Sequence, residues 1–312
     1  MRIPTPQLIG LVVLSAIWGA SFMAIKVLLD EVSFAAVGWL RLGGGAALIL
    51  GVVAVQRRSI PRDWDYWQRV LPVGLLGSAL PFLLIPWAER EISSQLAGIL
   101  NGAMPLWAAL IAQIVLVEER LDRTAGAGLL LGFAGLAIVI GPGVFDLADA
   151  STQGALAMLL AALSYAASAV LVRRRLQGVD STVLAGNQTL LAFLYLTPIM
   201  LVDGPPDFAA LSTKAILAAL ALGVIATGAA YLIYYWLLAT IHATQAALVT
   251  YLAPVWAVFW GWAILDESLG LGVWPGLALI VLGMYLVNRP ARVATERALE
   301  AARPAGGGPA SG

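Results

Sequence analysis

Long apolar runs separated by short polar segments dominate the pattern of this chain. Each run is close to the roughly 20 apolar residues that a helix needs to cross a bilayer. The first run is longer than a signal-peptide core and no small-residue cleavage site follows it, so we expect it to be retained as a membrane helix. The ten predicted spans are residues 8–28, 34–55, 70–88, 95–116, 125–142, 153–172, 182–202, 214–238, 243–264 and 271–288.

Lysine and arginine are shared unequally between the segments that connect these spans. If the N-terminus is cytoplasmic, 14 of the 18 basic residues lie on the cytoplasmic side and 3 on the other side, with Arg41 inside the second span. Because basic residues concentrate on the cytoplasmic side, we predict a multi-pass inner (plasma) membrane protein with both termini in the cytoplasm. Residues 291–312 have no apolar period and are predicted to form a disordered cytoplasmic tail.

Composition narrows the functional classes further. The 312 residues are 61% hydrophobic and 12% charged, with a net charge of zero and no cysteine. Nucleic acid is therefore not an expected partner, and disulfides and thiolate-bound metals are excluded. The sequence contains no phosphate-binding loop and no HExxH string, and its single histidine, His242, lies in a predicted loop. We expect no enzymatic activity, no cofactor, no metal and no ATP; the expected partners are a small solute and the lipid bilayer.

The chain contains an internal repeat. A shift of 147 residues aligns Trp18-Gly19-Ala20-Ser21-Phe22 with Tyr165-Ala166-Ala167-Ser168-Ala169, and Lys26 with Arg173. A shift of 149 residues aligns the later part of each half through the pairs Trp87/Trp236, Ile92/Ile241, Ala97/Ala246, Pro105/Pro254, Trp107/Trp256, Ala108/Ala257 and Glu118/Glu267.

Each repeat contains five spans, and this odd number gives the two copies opposite orientations in the membrane. We therefore predict an all-α membrane protein of ten transmembrane helices arranged as two inverted five-helix repeats, residues 1–145 and 146–290, followed by the tail at 291–312. Many secondary transporters are built in this way, with a substrate site near the midplane between the halves. The pattern thus favours a transporter that works by alternating access.

Residues in both halves also resemble the EamA family of the drug/metabolite transporter superfamily. The resemblance covers roughly residues 8–288 and is carried by the Trp18–Phe22 run, Arg41, Pro105, Glu118 and the tandem five-helix units. It implies a ten-helix carrier that exports amino acids, related metabolites or drugs across a bacterial inner membrane. The second half departs from the pattern, because Tyr165 replaces the tryptophan and Gln188 stands where the shift places Arg41.

Charged residues near the spans are few, and each has two interpretations. Arg41 lies well inside a span, where an arginine costs roughly 2.5–3.5 kcal/mol at the bilayer centre. It either binds a substrate carboxylate through paired hydrogen bonds or contacts helix-end carbonyls or acids. Lys26 lies near the end of its span, where snorkelling explains its presence.

The acidic residues bear on energy coupling. Proton-coupled carriers commonly have a titratable group at mid-depth in the membrane. Four acids of this chain instead lie at span ends: Glu118, Glu119, Asp266 and Glu267. The sequence therefore favours movement of the solute down its own gradient. Any proton coupling would involve these end positions or Glu89.

Polar and aromatic residues within the spans supply the candidate binding site. Asn101 lies one turn before Pro105, which leaves a backbone carbonyl without its usual donor, and Thr250 and Pro254 repeat this arrangement. Aromatic rings offer faces for apolar or cationic solutes, although each such residue can also serve only in packing. The predicted substrate-binding residues are Trp18, Ser21, Arg41, Asn101, Trp107, Tyr165, Gln188, Tyr231, Tyr235, Thr250, Tyr251 and Trp260, with Pro105 and Pro254 as kinks and Asn187 and Ser168 as further polar lining.

Glycine and the alternative functions complete the predictions. Gly128, Gly132 and Gly135 allow close approach of helices within the chain, and the GxxxG spacing leaves a homodimer open.

The alternative function is a non-transporting membrane scaffold, which predicts a filled core. An intramembrane enzyme would instead need catalytic polar residues on facing helices, and a cavity reaching mid-depth separates these hypotheses from a transporter.

Overall fold

The chain folds into ten apolar helices with no strand in the part that the structure describes. The computed structural model describes residues 3–115, 123–141, 146, 148–241 and 243–287. The all-α membrane fold predicted from the sequence is confirmed. The helices are α1 Thr5–Leu29, α2 Phe34–Val55, α3 Trp64–Glu89, α4 Ser94–Val115, α5 Arg123–Ile140, α6 Ala150–Arg175, α7 Ser181–Asp203, α8 Thr213–Thr240, α9 Leu248–Leu265 and the shorter α10 Val273–Val287.

Helices suit these segments because a bilayer offers no hydrogen bonds to the backbone, so each span must satisfy its own. Short polar residues set several of the starts. The hydroxyls of Ser33, Ser93 and Ser212 accept hydrogen bonds from backbone N–H groups three residues on, at 3.3, 3.1 and 3.2 Å. These caps satisfy donors that the first helical turn leaves free.

Three helices are irregular near the middle of the bundle. The segments Leu75–Ala79 in α3 and Ala221–Ala229 in α8 are π-helical, and a shift of 149 residues places the first within the second. In α4 the helix is interrupted at residues 102 and 103, between Asn101 and Met104. Such irregular backbone inside a membrane is tolerated where it is buried in protein or lines a cavity.

The packing of the helices follows the repeat. Helix α1 packs against α9, and its counterpart α6 packs against α4; α2 packs against α8, and α7 against α3. Two pairs of counterpart helices also contact each other between the repeats: α2 contacts α7, and α5 contacts α10. The two five-helix repeats are therefore interlocked, while the boundaries 1–145 and 146–290 stay predictions. The tail at 291–312, Glu118, Glu119 and His242 lie outside the described residues.

Glycines bring α5 and α10 into close contact. A Cβ built on Gly283 would lie 2.6 Å from the carbonyl oxygen of Gly128, and one built on Gly135 would lie 2.6 Å from that of Gly276. A Cβ on Gly132 would lie 2.5 Å from the Leu106 side chain. Packing within the chain thus accounts for the GxxxG spacing, whereas a homodimer through another surface is untested.

Candidate functional site

A cavity of about 380 Å³ lies between the two repeats. Its walls come from α1, α2, α3 and α4 of the first repeat and from α6, α7, α8 and α9 of the second. Nine of the twelve predicted binding residues line it, namely Trp18, Ser21, Arg41, Asn101, Tyr165, Gln188, Tyr231, Tyr235 and Thr250. Ser168 and Pro254, which were predicted in other roles, line it as well. The scaffold alternative predicted a filled core, so the cavity argues for the transporter hypothesis.

Arg41 provides the positive charge of the cavity wall. Its side chain is 7% exposed, its Nε donates to Oγ1 of Thr227 at 3.1 Å, and its guanidinium carbon lies 4.3 Å from the ring centre of Phe82. Within the described parts of the chain it forms no salt bridge. The guanidinium is therefore held on one edge and one face, and its terminal nitrogens remain for a ligand.

Gln188 occupies the equivalent position in the second repeat. Its Nε2 donates to Oγ of Ser78 at 2.9 Å and to the carbonyl oxygen of Gly77 at 3.3 Å. Ser78 is the counterpart of Thr227 under the 149-residue shift, and both lie in the π-helical segments. The two halves thus build the same bond, but with a neutral amide in place of the guanidinium.

Asn101 and Thr250 lie at equivalent points of the wall. Oδ1 of Asn101 is buried and has no hydrogen-bond partner in the described part of the chain. Its helix stops at this residue and resumes at Met104, which also lines the cavity. Oγ1 of Thr250 is occupied by a bond to the carbonyl oxygen of Ala247 at 2.7 Å. Asn101 therefore has an acceptor oxygen without a partner in the described residues, whereas the Thr250 hydroxyl has used its hydrogen and keeps only its acceptor capacity.

Aromatic rings form much of the remaining wall. Trp18 lies 5.5 Å from Tyr234 between ring centres, Tyr231 lies 6.2 Å from Tyr235 in a stacked arrangement, and Tyr165 lies 6.3 Å from Phe82 edge to face. Ring pairs at such distances hold one another in place. The wall therefore presents a fixed apolar surface, with the charge of Arg41 set into it.

Several predicted residues lie elsewhere. Trp107 packs edge to face on Phe133, and its Nε1 is buried without a partner among the described residues. The Tyr251 hydroxyl donates to the carbonyl oxygen of Met284 at 2.8 Å, and Trp260 Nε1 donates to that of Ala16 at 3.3 Å. These three residues join helices and do not line the cavity. Pro105 is not among the lining residues. Neither is Asn187, whose Nδ2 donates to the Tyr66 hydroxyl of α3 at 2.8 Å.

Other lining residues were not predicted. They are apolar or aromatic residues that share the cavity wall with the predicted ones, and they include Phe22, Phe82, Ile85, Tyr234 and Leu238. Phe22 follows Trp18 by four residues on the same helix face, and Phe82 is the counterpart of Tyr231 under the 149-residue shift. Helical spacing and the repeat could therefore have identified both.

A layer of polar residues closes one end of the cavity. We call Lys26, Glu89, Ser94, Gln95 and Glu267 the polar layer. The Lys26 ammonium donates to the carbonyl oxygens of Glu89 and Ile92, the latter at 3.1 Å. The Glu267 carboxylate accepts from the Ser94 N–H at 2.9 Å, the Ser94 hydroxyl at 2.8 Å and the Gln95 N–H at 3.1 Å. These bonds tie α1 to the end of α3, and the segment after α9 to the start of α4.

The opposite end of the bundle holds Arg173, Arg174 and Arg175, and we call it the arginine-rich end. The cavity approaches this end through Val172, Leu238 and Thr250. Leu238 is the counterpart of Glu89 under the 149-residue shift, yet it is 38% exposed while Glu89 is 0% exposed. The two ends therefore differ in packing although their sequences are related. Among the described residues, no group of His, Cys, Asp or Glu side chains is arranged to hold a metal ion.

Comparisons with known proteins agree with this architecture. The profile of the EamA-like transporter family matches residues 6–141 and 152–289. The uncharacterized transporter YoaV of Bacillus subtilis is 22% identical over 89% of this chain and 95% of its own length. The WAT1-related protein At3g02690, chloroplastic, of Arabidopsis thaliana is 25% identical over 88% of this chain and 67% of its own length. A crystal structure of a protein with 22% identity shares the fold, with a TM-score of 0.65 over 94% of this chain and 98% of that one.

Proposed function

The chain belongs to the EamA-like transporter family, and from this premise we propose that it exports or exchanges a small carboxylate-bearing metabolite, such as an amino acid, by alternating access. The observation that carries the proposal is Arg41, a buried guanidinium that lines the cavity without an acidic partner in the described residues. A buried charge is retained when something pairs with it. A carboxylate matches the edge formed by the two terminal nitrogens of a guanidinium, with which it forms two parallel hydrogen bonds.

The size and lining of the cavity support a small organic solute. Its volume of about 380 Å³ lies within the roughly 300–1,000 Å³ usual for small-molecule sites. Oδ1 of Asn101 can accept a hydrogen bond from an amino group, and the rings of Trp18 and Tyr231 suit an apolar side chain. A drug-like solute is the second candidate, and the aromatic wall is the observation that favours it.

The unequal ends of the bundle support alternating access. In an inverted repeat the two halves can exchange conformations, so that the closed end opens as the open end closes. The polar layer closes one end here, while the related end at Leu238 is open to the cavity. The distribution of basic residues favours a cytoplasmic location of the arginine-rich end and of both termini, and we infer that this conformation faces the cytoplasm across the inner membrane.

Matched pairs of solutes test the proposed ligand. Purified protein in proteoliposomes is assayed for uptake of a panel of amino acids and aromatic carboxylates, each paired with its amide. We expect at least one carboxylate to be taken up and its amide to be taken up at least about tenfold less. Arg41→Gln, which introduces the residue of the second repeat, should remove this preference. Arg90→Gln, at an exposed arginine, is the matched control and should keep it.

The alternative outcomes are distinct. Equal uptake of amides and carboxylates, with Arg41→Gln unchanged, would favour the drug-like solute. No uptake of any panel member would overturn the proposed substrate class.

Introduced cysteines test alternating access, because the chain has none of its own. Ala169 and Ile85 both line the cavity, and Ile85 is 3% exposed. In sealed vesicles, a membrane-impermeant maleimide should label Ala169→Cys from the arginine-rich side. It should label Ile85→Cys from the side of the polar layer slowly, and faster when a transported carboxylate is present on that side. Labelling of Ile85→Cys that never responds to a transported solute would contradict alternating access.

A further inference from the structure

Glu89 is a buried acid that the binding site does not use. It lies one helical turn beyond Ile85 and two turns beyond Phe82, so all three share one face of α3. Ile85 and Phe82 line the cavity. The face that lines the cavity therefore continues into the polar layer at Glu89.

Both carboxyl oxygens of Glu89 are buried without a hydrogen-bond partner in the described part of the chain. The whole residue is 0% exposed. An ionised carboxylate there would lose its hydration without receiving a hydrogen bond in return, which is costly. The closed layer therefore accommodates the neutral acid better than the anion.

Charged groups from three other elements act on Glu89. They are Lys26 from α1, Arg41 from α2 and Glu267 after α9. The Lys26 ammonium donates to two carbonyl oxygens, and Arg41 is bound to Thr227. The carboxyl oxygens of Glu267 accept from the start of α4.

Neighbouring helices add no further charge at this level. Helix α6 packs against the end of α3 near Gly154, and it has no charged residue from Ala150 to Val172. The start of α4 contributes the neutral side chains of Ser94 and Gln95. Among the described residues, the cations that act on Glu89 are thus Lys26 and Arg41, and the Lys26 ammonium would have to leave its carbonyl oxygens to pair with the carboxylate.

We propose that Glu89 is a proton-binding site that controls the polar layer: the layer closes when the carboxyl group holds a proton and opens when that proton leaves to water. On opening, water reaches the carboxyl group, its O–H bond breaks, and the proton passes to water on that side of the membrane. The carboxylate left behind is hydrated and lies beside Lys26. Closure takes one proton back from the same side. This proposal rests on the alternating access of the proposed function.

The repeat supports a role on one side only. The counterpart of Glu89 is Leu238, which lines the open end of the cavity and cannot titrate. Opening of the polar layer should therefore depend on the pH of its own side of the membrane and not on the pH at the arginine-rich side.

The test uses Ile85→Cys and an impermeant maleimide added on the side of the polar layer, with the pH of each side set separately. Thiol reactivity itself changes with pH, so each rate is divided by that of the same cysteine in a Glu89→Gln background. We expect the ratio to rise as the pH of that side increases, by up to about tenfold per unit, the limit for one proton. Glu91→Gln, at an exposed acid on the same loop, is the control and should behave as the parent.

Each outcome has one meaning. A ratio that stays constant between about pH 5 and 9, or one that follows the pH of the arginine-rich side, would overturn the role of Glu89. Glu89→Leu, which introduces the counterpart residue, repeats the comparison if Glu89→Gln fails to fold. If Ile85→Cys also ignores a transported carboxylate, alternating access itself fails; if it responds to the solute alone, only the proton site fails.

Discussion

Arg41 donates a hydrogen bond from Nε to Oγ1 of Thr227 at 3.1 Å, and this bond orients the positive charge of the cavity. Thr227 lies in the π-helical segment of α8 and also donates to the carbonyl oxygen of Leu222 at 3.0 Å. Because its hydroxyl hydrogen is used within its own helix, its oxygen is free to accept from Arg41. The irregular segment of α8 thus positions a side chain of α2.

Removing the Thr227 hydroxyl should weaken binding without removing the charge. Thr227→Val keeps the shape of the side chain but leaves Arg41 Nε without its acceptor. A hydrogen bond to a charged group contributes roughly 1.5–3 kcal/mol, so we expect the apparent affinity for the transported carboxylate to fall about tenfold or more. Uptake kinetics in proteoliposomes measure this effect. Ser78→Ala, at the counterpart that accepts from Gln188, should have a smaller effect, and equal effects of the two variants would contradict the special role of Arg41.

Asn101 and Trp107 lie six residues apart on α4 and should respond differently to truncation. Asn101→Ala removes an unpartnered cavity atom, so we expect reduced uptake with little change in the melting temperature. Trp107→Ala removes a ring packed on Phe133 at 4.9 Å between ring centres, so the melting temperature should fall. Thermal unfolding in detergent and uptake assays separate the two cases. Normal uptake by Asn101→Ala would remove that residue from the site.

The close contact of α5 and α10 should tolerate no side chain at Gly283. A methyl group there would lie 2.6 Å from backbone atoms of Gly128 and Gly132, and neither can move without shifting the helix. We expect Gly283→Ala to destabilise the protein by about 1–3 kcal/mol, seen as a lower melting temperature. Gly126→Ala, where a Cβ meets nothing within 4 Å, is the control and should be neutral or slightly stabilising. Similar melting temperatures would show that α10 can move away at little cost.

The pattern of apolar runs was sufficient to predict the helices, because each run is long enough to cross a bilayer and a chain in a bilayer must satisfy its own backbone hydrogen bonds. The cavity was predicted less completely, because helices that are apolar all round give no periodic signal for the face they turn inward. Polar and repeated residues such as Asn101 and Gln188 stood out against this background. The sequence did not indicate which way the Trp260 side chain points. Its indole N–H donates to a carbonyl oxygen of α1 and not into the cavity.

Hydrogen-bond partners on other helices could not be predicted from the sequence. Thr227 is one threonine in a long apolar run, and only the fold brings it to Arg41. The same applies to Lys26, for which snorkelling was expected and which donates to carbonyl oxygens of α3 and its following loop. Glu89 was grouped with other acids near span ends, because sequence position does not report the burial that distinguishes it.

Glu31 provides a prediction on pH. It lies between α1 and α2, and its carboxylate accepts hydrogen bonds from the Ser212 hydroxyl and from the Ser212 N–H, the latter at 2.8 Å. These two bonds lower the pKa of Glu31 below its ordinary value, with a smaller contribution from Lys214. A lowered pKa stabilises the fold above the pKa of the unfolded chain, and this contribution is lost as the pH falls through the folded value.

Glu31→Gln should therefore be less stable than the parent at neutral pH, and the difference should shrink below about pH 4. Because Glu31 is exposed, salt should reduce the effect. Melting temperatures of both proteins at several pH values and two salt concentrations test this expectation. A difference that is constant across the pH range would show that the carboxylate charge plays no part.

Glu267 should determine how firmly the polar layer closes. Its carboxylate accepts three hydrogen bonds from Ser94 and Gln95 at the start of α4, where the helix dipole also favours a negative charge. Glu267→Ala removes all three bonds and weakens the link between the segment after α9 and α4, where Gln95 Nε2 still donates to the carbonyl oxygens of Val258 and of residue 267. The arginine-rich end contributes nothing to these bonds. Losing them should therefore destabilise the conformation described here relative to one in which the polar layer is open. We expect maleimide labelling of Ile85→Cys from the polar-layer side to become at least about tenfold faster, which corresponds to 1.4 kcal/mol. Glu91→Ala should leave the labelling rate unchanged, and an unchanged rate in Glu267→Ala as well would mean that the Lys26 and Gln95 side-chain contacts hold the layer closed without the Glu267 carboxyl group.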